Sequence, residues 1–149
     1  MASTAQLIST LNNLIQTCRD GQEGFRIAAD GVAGAELKEL FHGYARQRAS
    51  FAGELQDEVR RVGGEAADAG SVAGSLHRGW LGLRTALTGA DERAVLAECE
   101  RGEDAALAAY RAALGVDMPA SVRTTVERQF AEVKEAHEHI RALDRAAGD

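Results

Sequence analysis

The sequence predicts an all-α protein, an antiparallel four-helix bundle made of two helical hairpins. Apolar residues recur at spacings of three and four along four long segments, which places them on one face of a helix. The chain has one proline, and alanine and leucine dominate its apolar residues, a composition that favours helix. Breaks that contain glycine separate the segments and give each helix a defined end.

The first hairpin is expected over residues 3–62. Its first helix runs from about Ser3 to Asp30; Ser3 or Thr4 can cap it, and Gly31 can end it in the left-handed conformation. Its second helix covers residues 35–62 and stops at two consecutive glycines. The two apolar stripes comprise Leu7, Leu11, Leu14, Ile15, Cys18, Phe25, Ala29 and Val32, and then Leu37, Leu40, Phe41, Tyr44, Ala45, Phe51, Ala52, Leu55, Val59 and Val62.

The second hairpin is expected over residues 91–146. Its first helix begins after a cap at Asp91 and ends at Gly115. Its second helix begins after Met118-Pro119, since proline is favoured in a first helical turn. The two apolar stripes comprise Val95, Leu96, Cys99, Ala106, Leu107, Tyr110, Ala113 and Leu114, and then Val122, Val126, Phe130, Val133, Ala136 and Ile140.

The connection between the hairpins, residues 63–90, has to return along the bundle. A helix of about 25 residues is roughly 38 Å long at about 1.5 Å per residue, and this connection is long enough to cover that distance. We expect a shorter crossover helix from Ser71 to Leu87 that packs on the bundle through Trp80. Two hairpins joined by one long crossover describe the ferritin-like arrangement, here as a single domain over residues 1–149.

Composition and charge limit the classes of partner. The chain of 149 residues carries a net charge of −6, which repels phosphates, so we expect neither nucleic acid nor a membrane surface as a partner. No stretch has the roughly 18 consecutive apolar residues that a membrane span needs, and no secretory signal begins the chain. Two cysteines do not make a disulfide framework, so a cytoplasmic location is expected.

Four polar residues fall inside the apolar stripes. Glu103 is the most informative of them, because a buried carboxylate needs a partner. The hairpins also repeat: Cys99-x-x-Gly-Glu103 follows Cys18-x-x-Gly-Gln22 after 81 residues, and Arg48 corresponds to Gln129 at the same spacing. The sequence therefore predicts a buried polar layer of Gln22, Arg48, Glu103 and Gln129.

Two strings of residues resemble a known family. Ser71-Val-Ala-Gly-Ser-Leu-His77-Arg-Gly-Trp80 and Glu98-Cys-Glu-Arg-Gly-Glu103-Asp104, followed by Tyr110, are similar to a bacterial family of ferritin-like four-helix-bundle proteins, domain of unknown function 2383. The resemblance covers about residues 5–145. It implies the ferritin-like fold, and it brings no established activity to these residues.

A ferritin-like fold raises the hypothesis of a di-metal site. Such sites use one Glu on each of two helices and a Glu-x-x-His pair on each of the other two. Glu103 is the only carboxylate among the four inward polar residues, and the second helix is interpreted as having no Glu-x-x-His pair. If a metal is bound, its ligands are expected among Glu103, His137, Glu100 and Glu23, with iron as the cofactor and an oxidase or storage role.

The preferred interpretation replaces the metal by Arg48. A guanidinium has a permanent positive charge and a fixed fork of donors that matches a carboxylate. A satisfied polar layer in the middle of a bundle fixes the register of the helices at some cost in stability. This interpretation predicts no cofactor and no catalytic residues, and a non-enzymatic interaction or structural protein, with a homodimer as one form.

The two cysteines occupy matched positions on neighbouring helices. A free cysteine usually behaves as a small buried apolar residue, so Cys18 and Cys99 are expected to be reduced packing residues. Because their positions match, a redox pair across the bundle axis is the alternative.

Overall fold

The computed structural model describes residues 3–66, 80, 82–83 and 91–148. These residues contain four α-helices and no strand, so the all-α prediction is confirmed. The helices are α1 (Thr4–Gly31), α2 (Ala35–Arg61), α3 (Glu92–Leu114) and α4 (Ala120–Gly148).

The four helices pack as a bundle. The first helix packs on α2 and on α3, and α4 packs on α3 and on α2, so neighbouring helices close a ring. Residues 32–34 join α1 to α2, and residues 115–119 join α3 to α4. Connections this short make each consecutive pair an antiparallel hairpin, as the sequence predicts. None of the described helices combines the length and the hydropathy that crossing a membrane requires.

Side-chain caps and glycine set the ends of the helices. The Ser3 hydroxyl accepts a hydrogen bond from the backbone N–H of Gln6 at 3.0 Å and caps α1. The prediction for Gly31 is wrong: it is the last helical residue, and the cap is Val32 with an extended backbone, φ −96°. The left-handed conformation occurs instead after α2, at Gly63, where φ is +87°.

The interior consists of two clusters of buried apolar side chains. The first core cluster lies at the end of the bundle where α1 and α4 begin, and the second lies at the opposite end, around the connection between α1 and α2. The first core cluster contains Leu7, Leu11, Leu14, Ile15, Cys18, Phe51, Ala52, Leu55, Val59, Ala106, Leu107, Tyr110, Ala113, Val122, Val126 and Val133. The second core cluster contains Phe25, Ala28, Ala29, Val32, Phe41, Ala45, Trp80, Leu83, Val95, Leu96, Cys99 and Ile140.

Most of the predicted crossover helix, residues 71–87, lies outside the described residues. Trp80, Gly82 and Leu83 are described, and both apolar side chains are buried, with 2 % and 0 % exposure. Trp80 therefore packs on the bundle, as the sequence predicts.

Candidate functional site: a buried ion pair

Arg48 on α2 and Glu103 on α3 form an ion pair inside the bundle. The Nη1 atom of Arg48 lies 2.5 Å from Oε1 of Glu103, and Nη2 lies 2.6 Å from Oε2. The two residues are 1 % and 0 % exposed. Two parallel hydrogen bonds between a guanidinium and a carboxylate are the strongest form of this contact, because they combine charge with a fixed geometry.

The position of the pair follows from the helical repeat. Arg48 lies between Ala45 of the second core cluster and Phe51 of the first, and Glu103 lies between Cys99 and Ala106 in the same way. Both residues therefore face inward at the boundary of the two clusters. A charge at this place has no access to bulk water, so each residue depends on the other for its stability.

Two residues of α1 shape the space around the guanidinium. A Cβ added at Gly21 would lie 3.4 Å from Cγ and from Nη1 of Arg48, so the bare backbone of α1 passes beside this side chain. The ring of Phe25 lies one turn further, with its centroid 5.3 Å from Cζ of Arg48. A cation over an aromatic face is attracted by the ring electrons, so Phe25 adds a second favourable contact.

The charge of Arg48 is maintained in this environment. Burial by itself lowers the pKa of Arg48, because it disfavours the charged form. The charge of Glu103 and its hydrogen bonds outweigh burial, and the pKa of Arg48 rises. The pair can therefore act as a permanent internal tie between α2 and α3.

A second polar group lies within the first core cluster. The Tyr110 hydroxyl donates to Oε1 of Gln129 at 2.7 Å, and Sγ of Cys18 lies 3.2 Å from the same hydroxyl oxygen. The amide nitrogen of Gln129 donates to the Phe51 carbonyl at 3.3 Å and to Oε1 of Glu54 at 3.2 Å. Burial is the main cause that raises the pKa of Tyr110 well above its ordinary value, and the neighbouring Cys18 raises it further. The hydroxyl therefore remains a donor at neutral pH.

The predicted polar layer is divided in the structure. Arg48 and Glu103 meet, whereas Gln129 is buried with Tyr110 in the first core cluster. Gln22 is half-buried, and its Oε1 accepts a hydrogen bond from Arg19 at 2.8 Å. The inward position on α1 belongs to Gly21, because consecutive helical residues point about 100° apart.

Two features of the interior escaped the sequence analysis. The contacts of Tyr110 were missed, although a phenol within an apolar stripe usually finds a hydrogen-bond partner when it is buried. Asp20 is 1 % exposed although it lies off the apolar stripe of α1. Helical periodicity alone contains no signal for that burial.

The predicted metal ligands are not gathered in one place. Glu103 contacts Arg48, and Nε2 of His137 lies 2.6 Å from Oδ1 of Asp104. Both carboxylate oxygens of Glu23 bind Arg26, and Glu100 is half-buried. Among the residues that the structure describes, no group of three or more His, Cys, Asp or Glu side chains could hold a metal ion.

The prediction that the second helix has no Glu-x-x-His pair is wrong, because Glu39 and His42 on α2 have this spacing. Glu39 is exposed and His42 is half-buried, and Nε2 of His42 lies 3.9 Å from Oδ1 of Asp30 on α1. This pair lies away from the buried Glu103, so it does not supply the second half of a bundle-core metal site.

Both cysteines carry free thiols in the interior. Cys18 belongs to the first core cluster and Cys99 to the second, on opposite sides of the ion pair. Burial raises the pKa of Cys18 from its ordinary value of 9.0 to about 11, and burial also raises the pKa of Cys99. Because the thiolate is the reactive form, these protonated thiols suit packing better than redox chemistry.

A cleft of about 360 Å³ lies on the outside of the bundle between α2 and α4. The Tyr44 hydroxyl lies 3.0 Å from Nδ1 of His139 and so connects the two helices. Burial raises the pKa of Tyr44, which keeps this hydroxyl protonated at neutral pH. The lining consists of Tyr44, Gln47, Glu132, Glu135, Ala136 and His139.

Comparison with known proteins identifies a family. Residues 6–115 match the model of a family described as a domain of unknown function (DUF2383). The match covers more than half of the 149-residue chain and confirms the resemblance to domain of unknown function 2383 over residues 6–115. The curated proteins contain no match to this chain.

Proposed function

We propose that this chain, which belongs to the DUF2383 family, is a non-enzymatic helical-bundle protein that acts through contacts with other proteins. The observation that carries the proposal is the Arg48–Glu103 ion pair. Both carboxylate oxygens of Glu103 bind the guanidinium, at 2.5 and 2.6 Å. The carboxylate best placed to bridge two metal ions is thus engaged by an internal cation.

The same proposal includes a ferritin-like fold in one domain. The short connections within each hairpin contrast with the long stretch from residue 62 to residue 91 between the hairpins. One long connection between two antiparallel hairpins is the connectivity of ferritin-like bundles. In this proposal residues 63–90 form the crossover, and the protein works in the bacterial cytoplasm.

In this proposal the ion pair specifies how the helices align. Sliding α2 against α3 by one turn would separate the two charges and leave both buried without a partner. Removing one partner of a buried pair typically costs about 3–5 kcal/mol, so other registers are strongly disfavoured. The pair would therefore keep the outer surface in one arrangement, which a protein partner can recognise.

The first partner to test is a second copy of the chain. The net charge of −6 argues against phosphate-rich partners, because like charges repel them. Light scattering after size-exclusion chromatography, over a range of protein concentrations, measures the mass directly. We expect a mass of two chains at high concentration. A mass of one chain at every concentration would mean that the partner is a different protein.

The metal-binding alternative has a direct test. The protein is expressed in iron-supplemented medium and purified without a chelator, and iron, manganese and zinc are measured per chain. We expect far less than one metal ion per chain for the natural protein and for its matched control, Glu103→Gln. About two irons per chain, lost in Glu103→Gln, would contradict the proposal and establish a di-metal site.

A further inference from the structure

The outward face of α2 is a stripe of residues at alternating spacings of three and four. Residues at these spacings follow one line along a helix, as in the seam of a two-stranded coiled coil. Because α2 lies between α1 and α4 in the ring, this line faces away from the bundle, and its residues are exposed or half-buried. We call it the α2 stripe; it comprises Glu36, Glu39, Gly43, Arg46, Ser50, Gly53, Asp57 and Arg60.

Two glycines of the stripe have no packing role among the described residues. A Cβ added at Gly53 would meet nothing within 4 Å, and one at Gly43 would meet only Nη2 of Arg46, at 3.9 Å. Glycine in the middle of a helix costs roughly 0.5–1 kcal/mol relative to alanine. The distance between packed helices depends on the side chains at their contact, so bare backbone here allows a helix from outside to approach closely.

A hollow of about 540 Å³ lies on the outer surface where the stripe begins. Its lining includes Gly43, the half-buried Leu40 and Tyr44, and the carboxylates of Glu36 and Glu39. In the part of the chain that the structure describes, neither carboxylate takes part in an ion pair. The hollow therefore suits a long side chain with an apolar stem and a cationic head.

The other end of the stripe presents such a side chain. Arg60 lies in the last turn of α2, and its side chain is 63 % exposed. Its Nη1 atom lies 3.3 Å from Oδ1 of Asp57, which is 66 % exposed. A guanidinium has five donors, so Arg60 can bind further carboxylates beside this exposed pair. The two ends of the stripe are thus complementary in charge.

We propose that the α2 stripe is the interface of a symmetric dimer, in which α2 packs antiparallel on α2 of a second copy. The twofold axis crosses the stripe midway between Arg46 and Ser50, so these two residues lie opposite each other. Gly43 then lies opposite Gly53, and Arg60 of each chain enters the hollow of the other. This inference rests on the proposed function, because it names the partner and the surface through which the bundle would act.

The charges of the stripe favour the antiparallel direction. In a parallel pair, Glu36 and Glu39 would face their own copies, and so would Arg46. The antiparallel pair brings both carboxylates to Arg60, which also lies between Glu39 and the opposing Asp57. These local contacts outweigh the net charge of −6, because exposed charges more than about 8 Å apart are largely screened at physiological ionic strength.

The first experiment measures the dissociation constant of the dimer by sedimentation velocity over a series of protein concentrations. Arg60→Glu brings a carboxylate to the acidic hollow, so the constant should rise about tenfold or more, because like charges then meet across the interface. The matched control is Arg93→Glu, the same change at an exposed position of α3, which does not neighbour α2 in the ring. The control should leave the constant unchanged. A natural dimer that tolerates Arg60→Glu would overturn the inference.

The second experiment exchanges the charges of the two ends. Combining Glu36→Lys, Glu39→Lys and Arg60→Glu restores opposite charges where the chains meet, so the dissociation constant should return towards its natural value. Damage to the fold by Arg60→Glu would not be repaired by two further substitutions. Dimers that stay as weak as those of Arg60→Glu would show that the hollow and Arg60 do not meet.

The third experiment tests the direction by disulfide trapping. Oxidation of a mixture of Glu39→Cys and Asp57→Cys proteins should link the two different chains, because these positions lie opposite each other in the antiparallel pair. Asp57→Cys alone should stay unlinked. The two natural thiols are buried and do not compete. Linked chains from Asp57→Cys alone would establish the parallel direction and overturn the inference.

The outcomes separate this inference from the proposed function. A mass of one chain at every concentration of the natural protein would overturn the dimer. It would leave the proposed function standing, with a different protein as the partner. About two irons per chain would contradict the proposed function and leave the α2 stripe unaffected.

Discussion

The two core clusters are built by different means within the same bundle. The first takes its buried side chains from the apolar stripes of the four helices, with Val122, Val126 and Val133 from α4. The second receives only Ile140 as a fully buried apolar residue from α4, and it includes Trp80 and Leu83 from outside the helices. Side chains of the four helices thus form the buried core at one end of the bundle. The core at the other end also includes side chains from outside the hairpins.

The ion pair lies at the boundary between these two regions. Its partners belong to different hairpins, so it ties the hairpins together where the first core cluster ends and the second begins. Perturbing the first core cluster should therefore affect the whole fold. Perturbing the second should first affect the packing around Trp80.

The largest expected effect comes from separating the ion pair. Arg48→Met or Glu103→Leu alone should lower the free energy of unfolding by about 3–5 kcal/mol, because each leaves a buried charge without its partner. The double variant should lose much less than the sum of the two, since it buries no charge. Urea unfolding of the four proteins forms a double-mutant cycle; additive losses would mean that the two residues contribute independently.

The prediction with the next largest effect compares the two core clusters directly. Leu14 and Leu83 are both 0 % exposed, one in each cluster. Leu14→Ala should cost about 2–5 kcal/mol and lower the midpoints of tryptophan emission and circular dichroism together. Leu83→Ala should lower the emission midpoint more than the helix midpoint. The same response from both variants would remove the distinction between the clusters.

A smaller effect concerns alkaline pH. Because burial raises the pKa of Cys18 from 9.0 to about 11, the folded protein keeps a proton that the unfolded chain loses in this range. The contribution of Cys18 to the free energy of unfolding should therefore be constant below pH 9 and fall between pH 9 and 11, by up to about 3 kcal/mol.

Cys18→Ala is the variant that isolates this contribution. It should flatten the alkaline decline while remaining folded at neutral pH, since the thiol acts there as a small packing group. Tyr110 and Cys99, whose pKa values are also raised by burial, leave a residual slope. An unchanged pH profile in Cys18→Ala would show that Cys18 does not contribute to it.

The smallest effect should be a gain in stability. Gly53 lies inside α2 in open space, so Gly53→Ala adds a better helix former without a clash and should raise the free energy of unfolding by about 0.5–1 kcal/mol. The matched comparison is Gly102→Ala, the same change in α3 against the indole ring. A gain in both variants would mean that Trp80 does not need the bare backbone at Gly102.

Much of this arrangement was present in local sequence patterns. The ends of the four described helices were predicted to within about two residues, because caps, glycines and periodicity act over a few residues. The same periodicity placed Arg48 and Glu103 on inward faces, since it depends only on residues of their own helices. The repeat between the hairpins aligned Gln22 with Glu103. It could not show that the neighbouring Gly21, and not Gln22, faces the core.

Contacts between distant segments were decided only by the tertiary structure. The bidentate geometry of the ion pair depends on the distance and rotation of α2 relative to α3, and the place of Gln129 beside Tyr110 depends on how α3 packs on α4. The burial of Trp80 depends on Gly24 and Gly102, two glycines 78 residues apart, which spacing rules cannot connect. The sequence by itself determined the helices and their apolar faces, because these follow from interactions close along the chain. The tertiary structure decided which side chains meet, because that follows from packing between helices.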